Sequence, residues 1–165
     1  MSQTIQEKVL VEHVRVKTEK PFGEVAAAFE ARLGTFDPAV YEQLRNGADT
    51  EAVRARIEGM AGPSGFALYR TSDHGALLRL ARQQRKAVQY VVGNSLFAVQ
   101  MTRHDVRVSL YAPLRLLIYE DEEGKTCVEY DKPSSLFGQF GNANVTEVAV
   151  MVDRKLEQLL ADATQ

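Results

Sequence analysis

The sequence predicts an α+β domain, a single antiparallel sheet of about five strands with helices packed on one face. Three observations carry this. The last two strand-like stretches are separated only by residues 121–124, with Glu122-Glu123-Gly124 as a hairpin turn. The order of elements reads β-α-(αα)-β-(α)-β-α-β-β-α, with few of the strand-helix-strand crossovers that build a doubly wound sheet. The chain has 165 residues, 45% hydrophobic and 25% charged, enough for one ordinary core. Residues 1–165 are therefore read as one domain.

Residues 1–7 are polar and expected to fray. Lys8 to Lys17 reads as the first strand, because Val14 and Val16 alternate with Arg15 and Lys17. His13 falls on the Arg15/Lys17 face, the wet one. Pro21 suits the first turn of a helix, with Glu24 near the positive end of its dipole. Val25, Ala28, Phe29 and Leu33 form its apolar stripe and Gly34 stops it. Residues 36–65 read as a helical insertion. Asp37-Pro38 opens one short helix that Gly47 closes, and Thr50 to Met60 forms a second. The insertion is either a lid or an extra packing layer.

Phe66 to Arg70 is a short strand. Ser72-Asp73-His74-Gly75 is a turn into a short helix, Ala76 to Arg82. Lys86 to Val92 is apolar on both faces, as a central strand is. Asn94 is a natural N-cap for a buried helix, Ser95 to Arg103. Leu110 to Glu120 is the next strand, with Pro113 near its start because proline has no donor for a ladder. Lys125 to Asp131 is its return strand. Pro133 to Phe140 reads as a helical turn or an ordered loop. Asn144 with Glu147 three residues later resembles a capping box. The final helix places Val148, Met151, Val152, Leu156, Leu159 and Leu160 on one stripe.

Net charge is −2 without a long basic run, so nucleic acid is not an expected partner. The start carries no apolar leader, and no run approaches the roughly 20 residues of a membrane span. With one cysteine, Cys127, no intrachain disulfide can form. A soluble cytoplasmic protein is the expectation. The three histidines lack metal-ligand spacing, and no phosphate loop, dinucleotide fingerprint or nucleophile elbow occurs. No metal and no cofactor is expected, and no catalytic residue is assigned. Met101 and His104, three apart on one helix face, leave a haem or metal version of ligand binding as an alternative.

Six residues form the candidate ligand site: His74, Asn94, Met101, His104, Tyr111 and Arg115. A histidine titrates near neutrality and can serve as acid, base or ligand. His74 on its turn could equally cap the following helix, and His104-Asp105 could simply end a helix. Arg115, on a core strand, must meet a carboxylate such as Asp131, a ligand anion, or solvent at an edge. Tyr111, Pro113, Met101 and Tyr90 either line an apolar pocket or fill the core.

Several words in the chain resemble one family along most of its length. They are Asp73-His74-Gly75, Gln89-Tyr90-Val91-Val92-Gly93-Asn94, Arg103-His104-Asp105, Leu110-Tyr111-Ala112-Pro113-Leu114-Arg115 and Glu129-Tyr130-Asp131-Lys132-Pro133. Together with Val152-Asp153-Arg154-Lys155-Leu156 they are similar to domain of unknown function 302, in its proteobacterial form. The resemblance implies a β-α-β4-α arrangement like that of TATA-binding proteins, here with the 36–65 insertion, and a homodimer. It implies no activity. Ser95 stands where proline usually follows Gly-Asn. Val92 and Ala112 stand where some members carry cysteine, which speaks against a thiol or metal role.

The expected function is small-molecule binding or sensing through a pocket near the Gly-Asn turn and the Tyr-Ala-Pro-Leu-Arg strand. The alternatives are a dimeric interaction module without ligand, or an enzyme using His74 or His104 as general acid/base. The enzyme reading requires both histidines and Arg115 to open onto one hollow.

Overall fold

The computed structural model describes residues 1–165. Its strands are β1 (His13–Thr18), β2 (Gly34–Thr35), β3 (Ala67–Asp73), β4 (Ala87–Gly93), β5 (Leu114–Glu120) and β6 (Thr126–Asp131). Its helices are α1 (Phe22–Glu30), α2 (Ala39–Arg45), α3 (Thr50–Glu58), α4 (His74–Leu78), α5 (Ser95–Thr102), α6 (Pro133–Phe137) and α7 (Ala143–Thr164). The six strands form one sheet in the order β1-β6-β5-β4-β3-β2. Without β2 and the short helices, the chain runs β1-α1-β3-β4-β5-β6-α7, which is compatible with the β-α-β4-α arrangement.

Alternation decides which face is buried. Tyr90 and Val92 of β4, Leu114, Leu116 and Ile118 of β5, and Val128 and Tyr130 of β6 point to the helices and are buried. Val25 and Phe29 of α1 meet them, as do Val145, Ala149, Val152, Leu156, Leu159 and Leu160 of α7. Each of the valine, leucine, isoleucine and phenylalanine side chains among them contributes about 1.5–3 kcal/mol relative to exposure. Tyr90 lies edge-on to Phe29, and its hydroxyl donates to Glu30 at 2.7 Å. The opposite face carries exposed Arg15, Arg70 and Arg115, with Val91, Leu117 and Glu129 half-buried among them.

The sheet has six strands rather than five and is mixed rather than purely antiparallel, because Gly34-Thr35 pairs parallel with Ala67-Leu68. Two residues are too few to show a period of two, so the sequence pattern hides this strand. Gly34 and Gly62 form the neck of the 36–65 insertion, and the Phe66 carbonyl accepts from both amides, at 3.0 and 2.9 Å. Only glycine allows this approach, because a Cβ on Gly62 would lie 2.4 Å from the Gly34 nitrogen.

Boundaries also shift. β1 begins at His13, not Lys8, since only residues from His13 onward have β6 partners. β3 runs on through Thr71 and Ser72 to Asp73, paired with β4, and α4 starts at His74, so the expected turn is divided between strand and helix. Leu110 closes a 3-10 turn, Val106–Leu110, and β5 starts after Pro113. The last helix is capped by Asn142, whose Oδ1 accepts from the Asn144 and Val145 amides. Asn144 is instead inside the first turn, because the earlier asparagine reaches those orphan amides first.

Candidate functional site

The site is built where β4 ends. Gly93 closes that strand against the segment before β5, and a Cβ there would sit 3.2 Å from the Pro113 Cβ. The Ala112–Pro113 peptide bond is cis. Asn94 then starts α5. Its Oδ1 accepts from the Leu96 amide at 2.9 Å and the Phe97 amide at 3.4 Å. Its Nδ2 donates to the Gly65 carbonyl at 2.9 Å, which ties the end of the insertion to the start of the helix.

Tyr69 comes from the opposite side. The register of β3 against β4 shifts between Leu68 and Arg70, and Tyr69 is the extra residue. Such a bulge re-aims a side chain. Here the ring stacks on Phe36, with centroids 4.0 Å apart, and the hydroxyl lies 2.7 Å from the Ser95 Oγ. Burial pushes the Tyr69 phenol above its ordinary pKa, against a smaller opposing effect of the Ser95 hydrogen bond.

Between these parts lies a cavity of about 280 Å³. That is just under the usual ~300–1,000 Å³ of ligand pockets. Phe66, Tyr69, Phe97, Met101, Leu114, Phe137 and Val152 supply its apolar wall. Tyr41, from α2 in the insertion, stands at it, so the insertion is part of the enclosure. Asn94, Ser95, Thr102 and Ser109 are its polar lining, and no Asp, Glu, Lys, Arg or His side chain lines it.

The six residues singled out from the sequence divide. Asn94 and Met101 line the cavity. Tyr111 adjoins the lining residue Ala112 but packs on Phe140, with ring centroids 6.2 Å apart. His104 is exposed beyond α5, where its Nε2 accepts from the Arg103 Nε at 3.2 Å. His74 is the exposed first residue of α4, and the neighbouring Asp73 is the cap, its Oδ1 accepting from the Ala76 amide at 2.9 Å. Arg115 is exposed on the open face of the sheet, beside Val91. Asp131 is not its partner, since Asp131 Oδ1 meets the His13 Nδ1 at 2.9 Å.

The two histidines and Arg115 do not share a hollow. Asp73, next to His74, pairs with Val88 near one end of β4, whereas His104 follows the helix that leaves the other end after Gly93. Five steps along β4, from Val88 to Gly93, separate those ends, roughly 17 Å at about 3.4 Å per step. Met101 is buried and His104 exposed, so that pair does not face one ligand either. Nowhere do three His, Cys, Asp or Glu side chains gather as a metal site. No helix is long and apolar enough to cross a membrane.

Tyr69 and Ser95 are two lining residues with hydroxyl groups that lie outside the six candidates. Strand alternation gives no sign of a bulge, and it is the bulge that delivers Tyr69. The helix start at Asn94 does place Ser95 in the first turn, which was the available signal.

Comparison with known proteins agrees with this architecture. The family model described as "Domain of unknown function DUF302" matches residues 41–163. A solved structure described as "uncharacterized conserved protein DUF302 from Bacillus stearothermophilus" aligns with a TM-score of 0.65 at 18% identity. The alignment covers 92% of this chain and 97% of that one, and shows a shared fold. No curated protein matches.

Proposed function

The chain belongs to the DUF302 family, and from that premise we propose that it binds a small molecule in the cavity between the Gly93-Asn94 turn and Ala112-Pro113-Leu114. One observation carries this reading. Two separate stretches of chain meet at the edge of a half-open, mostly apolar hollow, with glycine where Gly93 packs tightly on Pro113. A space of that kind, with a few converging polar groups, is the ordinary form of a ligand site. The reading is of binding or sensing without catalysis. The lining hydroxyls of Ser95, Thr102 and Ser109 have no histidine or carboxylate beside them in the wall to act as base. Buried, unpaired Cys127 suits a reducing compartment, and a cytoplasmic setting is part of the reading.

The test uses 1-N-phenylnaphthylamine, a neutral dye that brightens in apolar surroundings. The wild-type chain enhances its fluorescence saturably. Ala98→Phe, which puts a ring into the lining of the space, abolishes the enhancement while the thermal transition stays cooperative. Enhancement that is equal in both proteins contradicts the reading.

A second reading is a homodimer through the open sheet face. Val91 and Leu117 are diagonal neighbours there, half-buried on the face opposite the helix-packed core. Light scattering tests it, and a monomer at high concentration removes it.

A further inference from the structure

We propose that the cavity selects an uncharged molecule with an aromatic or aliphatic body and one hydrogen-bonding head, and that the Tyr69–Ser95 hydroxyl pair reads the head. This rests on the cavity being a binding site.

The wall argues against an anion in two ways. It holds no cationic side chain, so a carboxylate or phosphate entering it would lose hydration and gain no counter-charge. A helix N-terminus could still cradle an anion through its free amides. In α5 that route is narrowed, because Asn94 Oδ1 already accepts from the Leu96 and Phe97 amides. The Asn94 Nδ2 is likewise engaged, by the Gly65 carbonyl. A cation fares no better, since no carboxylate lines the wall.

The hydroxyl pair is different. Tyr69 and Ser95 bring two O–H groups but share one hydrogen bond, 2.7 Å long. Whichever of them donates, one proton and several lone pairs remain unused, and both residues line the cavity. The pair can donate to a carbonyl or accept from a hydroxyl or amide. The Tyr69 phenol, protonated at neutral pH as any tyrosine is, is pushed further in that direction by burial. The remaining wall, with Phe97, Phe137 and Met101, suits a flat or flexible apolar body.

The experiment titrates the full chain with 2-naphthol, 2-naphthoate and naphthalene, followed by ligand fluorescence. The proposal expects 2-naphthol to bind at least ~10-fold more tightly than 2-naphthoate, because the carboxylate is desolvated without a partner. It expects Tyr69→Phe combined with Ser95→Ala to weaken 2-naphthol about 3–10-fold, the worth of a hydrogen bond, and to leave naphthalene unchanged. Naphthalene binding by the variant also reports that the cavity still forms. Equal binding of 2-naphthoate and 2-naphthol overturns the selectivity and leaves the cavity reading standing. An equal loss for naphthalene and 2-naphthol overturns the role of the hydroxyl pair. Failure of all three to bind the wild-type chain overturns both readings.

Discussion

Asn94 holds the Gly65 carbonyl with its amide nitrogen, 2.9 Å away, while its oxygen caps α5. One side chain therefore joins the end of the insertion to the first turn of the helix that walls the cavity. Asn94→Ala removes both bonds and should cost about 1–3 kcal/mol in unfolding free energy. Asn94→Asp keeps the cap but loses the donor to Gly65, and should fall between. Urea unfolding of the three proteins checks the order.

Two glycines, Gly62 and Gly23, stand at opposite ends of the steric scale. Gly62→Ala would drive a Cβ into the Gly34 backbone at 2.4 Å, so it should destabilise by about 3 kcal/mol or more. Gly23, in the first turn of α1, has nothing within 4 Å of its Cβ position. Gly23→Ala should stabilise by about 0.5–1 kcal/mol. Thermal unfolding distinguishes these opposite signs.

Asp153 is buried in α7, and its Oδ1 accepts from the Ser134 amide at 2.8 Å at the start of α6. Asp153→Ala would leave that amide orphaned, at a cost of about 1–3 kcal/mol. Asp153→Asn retains an acceptor and should lose less. A loss as large in the asparagine variant would mean that the charge, not the bond, holds α6.

His13 sits between two carboxylates on the β1–β6 edge. Its Nδ1 meets Asp131 at 2.9 Å and its Nε2 meets Glu129 at 2.8 Å. These partners, Asp131 first, raise its pKa above the ordinary 6.5. In Glu129, burial pushes the carboxyl up, but the bonds from Tyr119, His13 and Arg15 together outweigh it and hold the carboxyl down. The folded protein thus favours the imidazolium, and its contribution is complete below pH 6.5 and fades as pH rises through the raised value. The stability gap between wild type and His13→Asn should therefore be widest near pH 6 and shrink toward pH 9. Because the site is exposed, salt should narrow it at every pH.

Much of this fold was legible in the chain because its signals are periodic. The α7 stripe and the alternation of β1 name the buried face directly. The site was legible only where a word marks a backbone event: Gly93-Asn94 ends a strand and caps a helix, and Ala112-Pro113 precedes another. What failed was convergence. Sequence order says nothing about which end of a strand a histidine reaches, so His74 and His104 read as partners although β4 lies between them. The bulge that swings Tyr69 toward Ser95 depends on a register that only pairing with β4 reveals. Parallel pairing of two residues, Gly34 and Thr35, is equally invisible without the partner strand.

The most direct measurement of the central claim is an amide chemical-shift map of the full chain titrated with 2-naphthol. The account predicts saturable shifts concentrated at Tyr69, at residues 93–102 and at residues 109–114, with His74 and Arg115 unmoved. Shifts centred on His74 or on the open sheet face, with residues 93–102 silent, would contradict it.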